Sequence, residues 1–229
     1  MQMAALIISS DQRFASSLHY VRARVGGTLA TRGTRTRLVI DGAAPRIVAD
    51  VLADIIVTDL KSHYIASQIN LPNDDQVASH AFIRALSTFD RETEKIIAKT
   101  IIKVTPSIYL DSLYEFMLDV LKNRWNEVCH LANENICYLA CRRTFLELLR
   151  FLISNIESLS DEAHIVDFEV LGRGLKPIKD VYVNESLPPD IKVISKLVTI
   201  APKRVFLHGD HPKLLESINS LFGSCVRVN

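Results

Sequence analysis

One short loop of the chain combines side chains that could do acid–base or metal chemistry. In His208-Gly-Asp-His211, two imidazoles and the carboxylate of Asp210 fall within four residues, between an apolar stretch and a helical pattern. Imidazole and carboxylate groups bind divalent metals and transfer protons. The loop is cramped, and a metal would need further ligands from elsewhere in the chain, so we predict no metal centre and no cofactor.

The same loop also has a structural interpretation. Asp210 would cap the following helix, Pro212 would lie in its first turn, and Gly209 would supply an unusual backbone angle. Both interpretations stay open. In the first, His208, Asp210 and His211 are candidate catalytic residues of a metal-dependent or hydrolytic enzyme. The sequence has no GxSxG, HExxH or Walker motif to support a reaction class.

A second candidate is a run of arginines near the N-terminus. The segment from Arg13 to Arg46 has seven arginines, no lysine and one acid, and its formal charge is +6, although the chain as a whole is only +1. Such an asymmetry indicates a nucleic acid or an acidic protein as partner. We take the dense group Arg32, Arg35 and Arg37 as the predicted contact surface.

The alternative for these arginines is a solvated face on a small β-rich segment. The aromatic residues of the segment, Phe14 and Tyr20, precede the densest arginines, so the sequence indicates no stacking platform for bases. Salt-dependent binding to DNA or RNA would distinguish the two interpretations.

Composition places the chain among ordinary globular proteins. Hydrophobic residues make up 48% and charged residues 23% of the sequence. No apolar run approaches the ~18 residues that span a bilayer. The four cysteines form no CxxC pair, which favours reduced thiols over a disulfide framework. We therefore predict a soluble, cytoplasmic protein without a membrane span.

The arginines belong to a predicted strand–helix–strand segment over residues 1–42. A helical stripe follows Asp11 and ends at Gly26-Gly27, and Thr28 to Ala30 and Arg35 to Ile40 read as strands. Residues 43–158 are predicted to form a helical domain, including one helix from Gln76 to Lys103.

The last segment, residues 159–229, alternates strands with helices and contains the His208–His211 loop. Strands are predicted at His164–Val170, Ile178–Val183, Arg204–Leu207 and Cys225–Val228, with a hairpin turn at Gly172-Arg-Gly174. We predict an α+β fold in which the helical region, about 44–158, packs with a mixed α/β sheet unit of the C-terminal strands. The N-terminal strands could join that same sheet.

Two stretches resemble the YtxC-like sporulation protein family. The first is Leu197-Val-Thr-Ile-Ala-Pro-Lys-Arg-Val-Phe-Leu-His208, similar to a family segment in which a helix leads into a short strand that ends in His. The second is the helical region from Phe116 to Trp125 and then Phe145-Leu-Glu-Leu-Leu-Arg-Phe-Leu152. The chain departs from the family pattern at Cys137-Tyr-Leu-Ala-Cys141 and at Asn155-Ile-Glu-Ser. The resemblance covers roughly residues 47–229.

The resemblance implies a role in endospore-forming Gram-positive bacteria and brings no catalytic residue with it. Together with the lack of a complete catalytic set, it leads us to expect a sporulation-associated cytosolic protein that is not an enzyme. Such a protein would act by binding a protein partner, another copy of itself or a nucleic acid, the last through the N-terminal arginines. The alternative remains an enzyme that uses the His208–His211 loop.

Overall fold

The structure is a computed structural model that describes residues 5–42, 44–72, 75–178 and 181–228. It has the predicted α+β fold, with many helices and two mixed sheets. The strands are β1 Leu6–Asp11, β2 Thr28–Arg32, β3 Arg35–Ile40, β4 Ser107–Tyr109, β5 Glu162–Val166, β6 Glu169–Gly172, β7 Lys176–Pro177, β8 Arg204–Leu207 and β9 Val226–Val228.

The helices connect and cover these strands. They are α1 Ala15–Val25, α2 Pro45–Ile55, α3 Lys61–Gln68, α4 Gln76–Thr88, α5 Arg91–Ile101, α6 Leu110–Phe116, α7 Asp119–Glu134, α8 Ile136–Leu139, α9 Arg142–Ser154, α10 Pro189–Ile200 and α11 Pro212–Phe222. A π-helical turn, Ile56–Leu60, joins α2 to α3. No helix in the described ranges is both long and apolar enough to cross a membrane.

The chain divides into two compact units, each built from two stretches of sequence. The first unit comprises Met1–Tyr64 and Asp90–Glu127, and the second comprises Ile65–Phe89 and Val128–Asn229. The predicted helical region is thus divided between them. The idea that N-terminal and C-terminal strands share a sheet is wrong, since each group of strands forms a sheet of its own.

The first sheet has the strand order β2-β3-β1-β4. The strands β2 and β3 form a hairpin with a two-residue turn at Gly33, whose φ of +61° suits glycine. Strand β1 pairs antiparallel with β3 and parallel with β4. One face of this sheet is buried in the core of the first unit, where Phe14, Leu18 and Trp125 are almost inaccessible to solvent.

The second sheet has the order β7-β6-β5-β8-β9, with β5, β8 and β9 parallel. The predicted strand His164–Val170 is instead a hairpin, because Asp167 and Phe168 both take positive φ and turn the chain between β5 and β6. The turn at Gly172-Arg-Gly174 is confirmed, since it joins the antiparallel strands β6 and β7.

Two other predicted elements differ from the structure. The single helix predicted over Gln76–Lys103 is broken at Asp90, which has the left-handed φ of +56° and separates α4 from α5. The predicted strand Ile178–Val183 contains positions 179 and 180, which lie outside the described residues, and its remaining positions are not in a strand.

Candidate nucleic-acid interface

The three arginines predicted as a contact surface lie together on the exposed face of the first sheet. In β3, Thr36, Leu38 and Ile40 point into the core, and alternation therefore turns Arg35 and Arg37 outward. In β2, Arg32 lies directly opposite Arg35 and so shares the same face. All three side chains belong to exposed residues. The burial of the apolar residues thus determines where the arginines point.

Strands β1 and β4 extend this face with an acid and an aromatic ring. Asp11 lies opposite Arg35, and Ser9 lies opposite both Arg37 and Tyr109. We call the outward side chains of Asp11, Arg32, Arg35, Arg37 and Tyr109 the arginine face. An aromatic residue is therefore present among the arginines, although the sequence showed none there.

Hydrogen bonds and ring contacts hold the centre of the arginine face. The Tyr109 hydroxyl donates to Asp11 Oδ2 at 2.6 Å, and Arg35 Nε lies 3.6 Å from Asp11 Oδ1. The Arg35 guanidinium carbon is 5.1 Å from the centre of the Tyr109 ring, within cation–π range. The hydrogen bond to Asp11 raises the pKa of Tyr109, and the Tyr109 hydroxyl raises the pKa of Arg35.

The other two arginines of this face have no protein partner in the described ranges. Neither Arg32 nor Arg37 makes a hydrogen bond or an ion pair there. Like charges directly opposite each other on neighbouring strands are destabilising, so the pair Arg32 and Arg35 has an unfavourable interaction that Asp11 offsets only at Arg35. An anionic ligand would remove this repulsion.

Buried and half-buried cations of the first unit are paired with acids. Lys61 is buried and lies 2.8 Å from Glu94, and Lys95 Nζ lies 2.6 Å from Asp54 Oδ1. Burial lowers the pKa of Lys61 and raises that of Glu94. These interior charges are therefore neutralised by partners, unlike those of the exposed Arg32 and Arg37.

Arg13 shows that the basic segment does not act as one surface. Its Nη1 lies 2.7 Å from Glu115 Oε1, its Nε donates to His63 Nε2 at 2.9 Å, and its guanidinium covers the Tyr114 ring at 4.4 Å. Desolvation, with a further contribution from Arg13, lowers the pKa of His63. Arg13 is thus engaged inside its own unit, unlike the arginines of the face.

In the second candidate, the His208–His211 loop, the two histidines contact different residues. His208 Nε2 lies 3.1 Å from His164 Nδ1, and the ring centres are 5.4 Å apart, so the two imidazoles meet nearly end to end in one hydrogen bond. The His211 ring packs against Phe168 with ring centres 4.8 Å apart. The loop does not bring its two imidazoles to one point.

His208 belongs to a row of polar and aromatic contacts on the half-buried outer face of the second sheet. His164 stacks on Phe206, its partner across the strands, and its Nε2 is 3.9 Å from Glu162 Oε2. Arg204 Nη2 in turn lies 2.6 Å from Glu162 Oε1. We call Glu162, His164, Arg204, Phe206 and His208 the histidine face. Its charged and titratable groups are partnered by one another.

The structural interpretation of the loop is correct in part. Pro212 begins α11, and Gly209 has a φ of +89°. The prediction that Asp210 caps the helix is wrong, because the residue at the cap position is His211, which makes no side-chain capping bond. No group of three or more His, Cys, Asp or Glu side chains among the described residues is arranged to hold a metal ion.

Sequence reasoning missed Asp11 and Tyr109 on the arginine face and, on the histidine face, every residue except His208. For Tyr109 a signal exists in retrospect: Ser107-Ile-Tyr109 alternates and follows the helix breaker Pro106, although three residues are too few to predict a strand. His164 was inside a predicted strand, but its partner comes from β8. No protein-family model matches the chain, and neither a curated protein nor a solved structure does.

Proposed function

We propose that this protein is a sporulation-associated cytosolic protein without enzymatic activity that binds nucleic acid through the arginine face. The observation that carries the proposal is the exposed position of Arg32, Arg35 and Arg37 on one side of one sheet, with two of them unpaired in the described ranges. Phosphate groups are the ligands that arginine side chains hold best, through paired N–H donors.

The spacing of the arginines favours a nucleic acid over an acidic protein as the partner. Arg32 and Arg37 flank the Arg35–Tyr109 contact on neighbouring positions of a sheet, where strands lie about 5 Å apart and alternate residues about 7 Å apart. A backbone with regularly spaced phosphates can contact such a set of arginines in succession, and this sequence-independent contact supplies most of non-specific nucleic-acid binding.

Fluorescence anisotropy with labelled DNA and RNA at low salt tests the proposal. Replacing Arg32 and Arg37 with Gln together is expected to weaken binding about tenfold and to reduce the slope of log K against log salt by about 1.4 to 1.8, the value for two lost phosphate contacts. The matched control replaces Arg22 and Arg46, two other exposed arginines of the same basic segment.

The control removes the same net charge and should leave both the affinity and the salt slope close to the wild-type values. Equal losses in the two double variants would mean that only overall charge matters, which contradicts a site on the sheet. Retention on polyglutamate but on no nucleic acid would point to an acidic protein as partner and would also contradict the proposal.

The sporulation part of the proposal rests on the resemblance of Leu197–His208 and Phe145–Leu152 to the sporulation family. Removing the gene from its host is expected to lower the yield of heat-resistant spores without slowing vegetative growth. A plasmid copy should restore the yield, and a copy with Arg32→Gln and Arg37→Gln should not. Normal spore formation in the deletion strain would remove this part of the proposal.

The competing function is a metal-dependent or hydrolytic enzyme at the His208–His211 loop. It has less support, because His208 is hydrogen-bonded to His164 while His211 packs on Phe168. Elemental analysis of the purified protein distinguishes the two functions. A stoichiometric metal that is lost on changing His208 and His211 would favour the enzyme.

A further inference from the structure

The arginine face is more than a cationic patch, because its centre contains an aromatic ring. Tyr109 starts from β4, opposite Ser9, and its hydroxyl reaches Asp11, which lies two residues further along β1. The ring is therefore held across β1. The hydroxyl donates to Asp11, and the Arg35 guanidinium contacts the ring from β3.

Resting on the function proposed above, we infer that the arginine face is specific for single-stranded nucleic acid, with one base stacked on the Arg35–Tyr109 pair and the flanking phosphates bound by Arg32 and Arg37. Aromatic rings and guanidinium planes both stack with bases, and they can do so only where the base is unpaired and accessible. A duplex hides the faces of its bases.

Asp11 determines where on this surface a phosphate and a base would bind. Its carboxylate lies beside the ring, where it bonds Tyr109 and faces Arg35, and it would repel a phosphate placed there. Phosphates are therefore directed to Arg32, on the β2 side, and to Arg37, two residues along β3. The centre is left for a neutral, flat group, which a base provides and a phosphate does not.

The exposed positions of the face allow such a ligand to approach. Arg35 keeps 58% of its side chain accessible, and its guanidinium therefore offers a second surface on which the stack can continue. Ser9, Ala30 and Val39 also point outward on this side of the sheet, and none of them carries a charge that would oppose the ligand.

The inference excludes binding in which a β-ribbon of this protein enters the major groove of a duplex. The hairpin of β2 and β3 could present Arg32 and Arg35 to a groove. In that case neither β4 nor the Tyr109 ring would contact the nucleic acid, and changing Tyr109 would have no effect on affinity. The ring is therefore the residue that decides between the two.

The experiment measures the affinity of the full chain for three labelled polyanions of equal length: oligo(dT), the same strand annealed to oligo(dA), and a deoxyribose-phosphate strand without bases. Oligo(dT) is expected to bind most tightly. Tyr109→Leu should lower its affinity about tenfold, the size of one base stack, and should leave the other two unchanged. Tyr109→Phe, which keeps the ring and loses the hydroxyl, should bind oligo(dT) nearly as well as wild type.

The outcomes separate the two proposals. If all three polyanions bind equally and Tyr109→Leu changes none of them, while the Arg32 and Arg37 double variant still weakens all three, the binding function stands and the inference of single-strand specificity is overturned. Preference for the duplex also overturns it. If neither these three polyanions nor the labelled RNA binds at low salt, both proposals fail. Circular dichroism of each variant verifies that it is folded.

Discussion

On the exposed face of the first sheet, Arg32 and Arg35 lie opposite each other, and the only acid beside them among the described residues is Asp11 on β1. On the half-buried outer face of the second sheet, by contrast, His164 and His208 share a hydrogen bond. The histidine face continues through Glu162 to Arg204, so that each polar group has a partner within the protein. The arginine face leaves two cations without one in the described ranges.

The two faces therefore differ in how their polar groups affect stability. Polar groups that hydrogen-bond to one another stabilise the protein, and this stabilisation is lost when one partner is removed. Like charges held close together reduce stability, and their interaction becomes favourable only when an opposite charge arrives. The two faces should therefore respond in opposite ways to substitution.

The largest expected effect concerns binding. Reversing the charge of Arg32 and Arg37 together to Glu should lower the affinity for oligo(dT) on the order of 100-fold, because two phosphate contacts are replaced by repulsion. Replacing Glu162 with Gln and His208 with Gln should leave that affinity unchanged. Anisotropy titrations at one low salt concentration measure both. A comparable loss of affinity in the histidine-face variant would contradict the proposed difference between the two faces.

A double-mutant cycle on the histidine face should give favourable coupling. His164→Phe keeps the stack on Phe206 and, like His208→Leu, removes the hydrogen bond between the imidazoles. The coupling energy is expected to be about 1 kcal/mol, the net contribution of a typical hydrogen bond. Urea denaturation of the wild type, both single variants and the double variant supplies the four free energies of unfolding. A coupling near zero would show that the imidazoles do not stabilise each other.

The corresponding cycle on the arginine face should give coupling of the opposite sign. Arg32→Gln is expected to raise the melting temperature slightly, and to have no such effect when Arg35 is already Gln, because the repulsion has then been removed. The gain should shrink at high salt, since exposed charges are screened. A loss of stability in Arg32→Gln would mean that Arg32 has a stabilising partner, and it would contradict our account of this face.

The smallest effect is spectroscopic and concerns the centre of the arginine face. The pKa of Tyr109 is raised from its ordinary value of 10.0, mainly by the hydrogen bond to Asp11. A group whose pKa is raised on folding stabilises the protein below its unfolded pKa, and that stabilisation is lost as the pH rises through the folded pKa. Difference titration of phenolate absorbance between wild type and Tyr109→Phe measures the pKa of Tyr109. A titration midpoint of Tyr109 at or below pH 10.0 would contradict the hydrogen bond.

Local patterns in the sequence predicted the elements that carry the arginines. The alternation from Arg35 to Ile40 identified β3, because a strand with one buried face must place its apolar residues at every second position. Pro45 and Pro212 marked the first turns of α2 and α11, where a missing N–H does no harm. These features depend on a few consecutive residues, which is why a single sequence shows them.

Features that depend on distant residues were not predictable in this way. Ser107–Tyr109 is a strand only because β1, about a hundred residues earlier, pairs with it. Asp90 breaks a stretch that the sequence predicted as one helix. Asp210 has the residue type of a helix cap but lies one position before the cap. In each case the packing of the surrounding elements outweighed the local preference.

The sequence by itself determined that the protein has an α+β fold, that a dense set of arginines lies in a strand hairpin, and that no complete catalytic motif is present. Only the tertiary structure decided that these strands form a sheet of their own, that Tyr109 and Asp11 join the arginines, and that His208 pairs with His164. The reason is that strand identity follows from local alternation, whereas strand partners depend on which apolar faces can be buried together.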